Sequence, residues 1–193
     1  MKTSRFVLFA GLLLIVSFPV HAHRGVGAAH GLIDGLLHPL IGADHLLVML
    51  AIGLWAAMRG GRALWLLPVT FLLAMGTGAA LHFAGLTVTA AENWVAFSVL
   101  AAGVLVWRNT PMLSALAVAL VALFALSHGY VHAAELANGA DALDYSAGFL
   151  LTTALLHGLG IAFGLLGKAR LKMIGTGFGL LCAVVGASLL VGI

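Results

Sequence analysis

Long apolar runs with almost no charge decide what this chain can be: 63% of its 193 residues are hydrophobic and 8% are charged. A soluble domain of that length has too little interior to bury so much apolar surface. The expected fold is therefore all-α, a polytopic membrane helix bundle. Short polar breaks divide the chain into about six spanning segments, near 38–58, 63–84, 92–107, 111–134, 145–167 and 171–193. A brief amphipathic piece, Ala29 to Leu37, precedes the first.

The opening residues read as a secretory signal. Lys2 and Arg5 supply a charged start, Phe6 to Phe18 an apolar stretch, and Val20-His21-Ala22 a small-x-small cleavage site. The apolar stretch is shorter than the roughly 20 residues that span a bilayer, which favours cleavage over an uncleaved first helix. Domain organisation is then a signal peptide over 1–22 and one transmembrane domain over 23–193.

Charge placement gives orientation. Arg59 and Arg62 follow the first span, Arg108 the third, and Lys168, Arg170 and Lys172 the fifth; the alternate breaks carry Glu92, Asp141 and Asp144 with no Lys or Arg. Positive residues stay on the cytoplasmic side, so both mature ends lie outside it, in a multi-pass membrane protein. Lipid surrounds it, and a homo-oligomer is left open. The net charge of +3 is scattered and marks no nucleic-acid surface. Cys182 is the single cysteine, which excludes an internal disulfide or a thiolate zinc cage and leaves it a small buried hydrophobe. Gly158, Gly160, Gly164 and Gly167, with Gly175, Gly177 and Gly179, read as helix-packing seams. The four tryptophans, Trp55, Trp65, Trp94 and Trp107, and Tyr130 read as anchors or packing.

Two clusters break the apolar pattern: His38 to His45, with Asp44, and His128 to Glu135, with His132. Ionisable groups are expensive within a bilayer and mark function there. At 1.5 Å per residue, His45 falls about 10 Å below the outer surface, His128 about 5 Å below it, and His38 and His132 near it. His128, His132 and Glu135 share one helical face by their spacing. Pro39 and Gly42 disturb the helix between His38 and His45. Imidazoles with carboxylates and no thiolate suit a borderline dication such as Ni²⁺, Co²⁺ or Zn²⁺. Asp44 and Glu135 together would neutralise one dication. The expected metal ligands are His38, Asp44, His45, His128, His132 and Glu135. His30, His82 and His157 divide evenly between ligand and interhelical hydrogen bond, and Glu92 between loop acid and cation attractor. His157, the deepest, is a candidate stepping ligand on the inward path.

The same residues carry a resemblance. His38, Asp44 and His45 fill a His-x5-Asp-His motif, and His128, Gly129, Val131, His132 and Glu135 fill most of Phe-His-Gly-x-[Ala/Val]-His-Gly-x-Glu. Ser127 stands in place of the Phe and Ala133 in place of the second Gly; neither removes a ligand. Over its whole length the chain resembles the HupE/UreJ family of nickel and cobalt permeases, encoded with hydrogenase or urease systems. That resemblance implies uptake of Ni²⁺, or Co²⁺, for a metalloenzyme, with the metal as cargo, no resident cofactor and no enzymatic activity. No ATP-binding loop is present. Two other classes stay open: a metal-dependent membrane hydrolase using Ser127 beside His128, and a metal-binding accessory protein without transport.

Overall fold

The structure, a computed structural model, describes residues 31–109, 111–136 and 140–192. The expected signal peptide over 1–22, and His30, lie outside the described residues. Within them the regular elements are α1 (Leu32–Ile41), α2 (Ala43–Arg59), α3 (Ala63–Phe83), α4 (Ala91–Arg108), α5 (Ser114–Ala134), α6 (Ala142–Leu166), a 3₁₀ turn (Lys168–Arg170) and α7 (Leu171–Val191). All are helical, as the composition requires.

Five of the six expected segments appear as single helices with ends shifted by a few residues. The first does not. Its helix stops at Ile41 and restarts at Ala43, with an 80° bend between the two parts. Gly42 sits at the break in an extended conformation (φ −76°, ψ 118°). His38 therefore lies in α1, before the break, and His45 in α2, after it; the disturbance expected from Pro39 and Gly42 is a complete break. By length and composition α3, α5, α6 and α7 can each cross a bilayer, and the bent α1–α2 pair has the length and composition of a broken span or a re-entrant loop. α4 falls outside that set; Glu92 in its first turn and Arg108 in its last shorten its apolar stretch.

α2 forms the centre. Its side chains from Val48 to Ala57 are buried, Leu50 only partly, and it packs against α3, α4, α6 and α7. The most extensive pairings are α3 with α5, α4 with α7, α2 with α6, and α1 with α6. Glycine is what lets the α2–α6 backbones close on each other. A Cβ at Gly53 would overlap the carbonyl of His157, and one at Gly160 the carbonyl of Leu50. Small residues allow this approach where lipid gives helices no hydrophobic reason to associate. Gly158 and Gly177 meet nothing within 4 Å, so they are not part of the seams expected of them. Trp55 is 1% exposed and is core, whereas Trp65, Trp94 and Trp107 are exposed. Cys182 is buried, a packing residue as expected.

The ends differ in character. The α2–α3, α4–α5 and α6–α7 connections, with their arginines, share one end, where Arg59 donates to the Met112 carbonyl at 2.9 Å. The opposite end holds α1, the start of α2 and the end of α5. There Asp141 caps α6, its carboxylate accepting from the backbone N–H groups of Leu143 and Asp144 at 3.1 Å.

The α2–α6 seam makes a direct prediction. Gly53→Val inserts atoms where the His157 carbonyl already lies and should destabilise the fold by about 1–3 kcal/mol, while Gly177→Ala should be close to neutral. Thermal unfolding of the detergent-solubilised protein compares them.

Candidate metal centre

The two histidine clusters meet at the α1/α2/α5 end. The start of α2 brings in Asp44 and His45, the last turns of α5 bring in His128 and His132, and Glu135 follows immediately as the C-cap. Gly129 permits this placement: a Cβ there would run into the Met75 carbonyl, so α5 can lie this close to α3 only with glycine between its two histidines. Ala133, which departs from the family motif, stays within the helix and leaves its course intact.

Ring geometry shows the convergence. The His45 ring lies 4.1 Å from that of His132 and 4.9 Å from that of His128. His45, His128 and His132 each offer a ring nitrogen within 4.8 Å of the others, and all three are buried. His38, His132 and Glu135 form a second such group. The side chains of His38 and Glu135 are 19% and 26% exposed, so this outer group opens toward the surface while the inner one does not. His132 is common to both. A two-stage site results, graded from wet to dry.

Hydrogen bonds fix how the inner imidazoles present themselves. An ionised carboxylate only accepts. Asp44 Oδ1 lies 2.5 Å from His45 Nδ1 and also accepts from the His45 backbone N–H at 2.9 Å. The His45 proton is therefore on Nδ1 and its lone pair on Nε2. Glu135 Oε2 lies 3.1 Å from His132 Nδ1, which places the His132 lone pair on Nε2 by the same argument. His45 Nε2 and His132 Nε2 then face each other in close contact. For His128 the partner is Ser98. Its hydroxyl donates to the Val95 carbonyl at 2.6 Å, so its oxygen accepts from His128 Nε2 at 2.9 Å. That leaves the His128 lone pair on Nδ1.

Each inner imidazole thus has its own acceptor on the far side: Asp44, Ser98 or Glu135. Such outer partners orient metal-binding histidines and raise their basicity. Asp44, expected as a ligand, lies outside both groups, and its carboxylate faces the ring and backbone N–H of His45. Ser98 was not anticipated, because a single serine in an apolar span carries no signal of what it faces. Phe149 lies 4.3 Å from the His132 ring and Phe71 5.8 Å from the His128 ring, so aromatic walls flank the imidazoles. His38 Nε2 stands 3.4 Å from Glu135 Oε2.

Other expected candidates fall elsewhere. His82 packs edge-on against Tyr130, with 5.2 Å between ring centroids, and belongs to neither group. Glu92 is exposed at the start of α4. Ser127, the hydroxyl a hydrolase would need, donates to the Leu123 carbonyl one turn back at 3.3 Å.

The family described as HupE / UreJ protein matches residues 11–189. Protein HupE of Rhizobium leguminosarum bv. viciae is 38% identical over 194 residues, covering 100% of both chains. No solved structure matches.

The role assigned to Ser98 is testable. Ser98→Ala removes the acceptor that orients His128 and should weaken Ni²⁺ binding about 10- to 100-fold, measured by equilibrium dialysis of the purified protein. An unchanged affinity would detach His128 from metal binding.

Proposed function

The chain belongs to the HupE/UreJ family, and from that premise we propose that it carries a divalent transition metal, Ni²⁺ with Co²⁺ as the second candidate, across a bacterial inner membrane into the cytoplasm. The observation that carries this reading is the meeting of three buried imidazoles, each with a ring nitrogen within 4.8 Å of the others, beside a half-open group sharing His132. Imidazole donors suit a borderline dication better than Mg²⁺, which prefers oxygen, or Cu(I), which prefers sulfur.

A hydrated cation arrives at His38 and Glu135, where the site is still open to water. These donors replace part of its hydration shell. The ion then passes to His45, His128 and His132, where apolar walls exclude water and the negative charges of Asp44 and Glu135 offset the ion's own. Two carboxylates against one dication keep the buried assembly near neutral, which limits the cost of holding charge at low dielectric. Asp44 acts here by holding His45, and Glu135 serves first as ligand and then as the acceptor behind His132. The ion's onward movement is driven by the interior-negative potential, worth about 4.6 kcal/mol for a dication at 100 mV.

Alanine at His45 or His132 should abolish uptake of radiolabelled Ni²⁺ by cells while membrane levels of the protein, followed by immunoblot, stay unchanged. Undiminished uptake would remove this site from the transport path. Protons compete for the same lone pairs, so the apparent affinity for Ni²⁺ should fall as the external pH is lowered. Uptake kinetics at each pH provide the measurement.

A further inference from the structure

Another imidazole lies beyond the two groups. His157 is 1% exposed, on α6, and neither of its ring nitrogens has a hydrogen-bond partner. Thr153, one turn outward on the same helix and fully buried, carries a hydroxyl that is likewise unpartnered. Residues four apart lie one above the other on a helix face, so α6 presents two adjacent, unsatisfied polar groups to one part of the interior. Buried polar groups are nearly always paired, and an unpaired one is destabilising unless something else uses it.

Position indicates what would use them. The His157 backbone abuts Gly53 of α2, eight residues inward of His45 and so about 12 Å deeper along that helix. The Phe71 ring bridges the two levels: its centroid is 5.8 Å from that of His128 and 4.9 Å from that of His157. Phe71 is itself fully buried. A line therefore runs inward from the three-imidazole group, across one aromatic ring, to an imidazole with lone pairs and no bonding partner.

We propose that His157, with the Thr153 hydroxyl beside it, is an inner transit site that receives the cation after it leaves His45, His128 and His132. Phe71 separates the two sites, and its ring must turn aside for the ion to pass. This inference rests on the permease reading and assigns a second, weaker station within it. One nitrogen and one neutral oxygen bind a dication loosely, as release to the cytoplasm requires.

The test uses the full chain in proteoliposomes, with Ni²⁺ as the probe. His157→Leu fills the same space with an apolar side chain, and should keep Ni²⁺ binding and raise or maintain the unfolding temperature, yet lower the initial rate of Ni²⁺ influx about tenfold or more. His157→Cys in a Cys182→Ser background restores a ligand; it should recover influx and make it more sensitive to Cd²⁺, which favours sulfur. Wild-type influx in the Leu variant would make His157 a packing residue and overturn the proposal while leaving the permease reading in place. Absence of Ni²⁺ influx in the wild-type protein would overturn both. Should the Leu variant not accumulate, His157→Gln, a poor Ni²⁺ ligand, takes its place with the same two outcomes.

Discussion

Two imidazole nitrogens, His45 Nε2 and His132 Nε2, face each other in the buried outer end of the bundle. Each ring directs its N–H to a carboxylate on its far side, Asp44 or Glu135. Both nitrogens therefore present lone pairs to the same space, and lone pairs so placed repel in a medium of low dielectric. On the function proposed above, a cation between them would turn that repulsion into two bonds. The surrounding architecture holds the two rings in opposition.

That architecture depends on backbones lying unusually close. α5 delivers His128 and His132 beside α2 only because Gly129 lets it ride against the Met75 carbonyl of α3. α2 is held on its other side by α6 across the Gly53–Gly160 crossing. The 80° bend at Gly42 then lays α1 against α6, bringing His38 within 4.7 Å of the His132 ring from a direction no continuous helix could supply. Exposure declines along this route from Glu135 and His38 to His45 and His128. On the proposed function, an ion following this gradient would lose its water in stages and not all at once.

Much of this was legible in the sequence. Apolar runs fixed the helices to within a few residues, and the spacing of His128, His132 and Glu135 placed them on one face. Alternating charge placed the histidines and the arginines at opposite ends. Other features were hidden for a physical reason: a membrane helix is hydrophobic all round, so its sequence does not say which face meets a neighbour. Ser98 behind His128, Phe71 and Phe149 as walls, and the inactive seam positions Gly158 and Gly177 all depend on that rotation. Composition marks Asp44 as a candidate ligand but cannot show that its carboxylate also accepts from the histidine next to it. The break at Gly42 was signalled by Pro39 and Gly42, but its angle was not.

The central claim is that a dication rests among His45, His128 and His132. X-ray absorption of the Ni²⁺-loaded protein tests it most directly, because imidazole rings leave a distinct multiple-scattering signature. The account predicts three imidazole nitrogens around the metal, falling to two in His128→Ala. A coordination shell of oxygen alone, or one unaltered by that substitution, would contradict it.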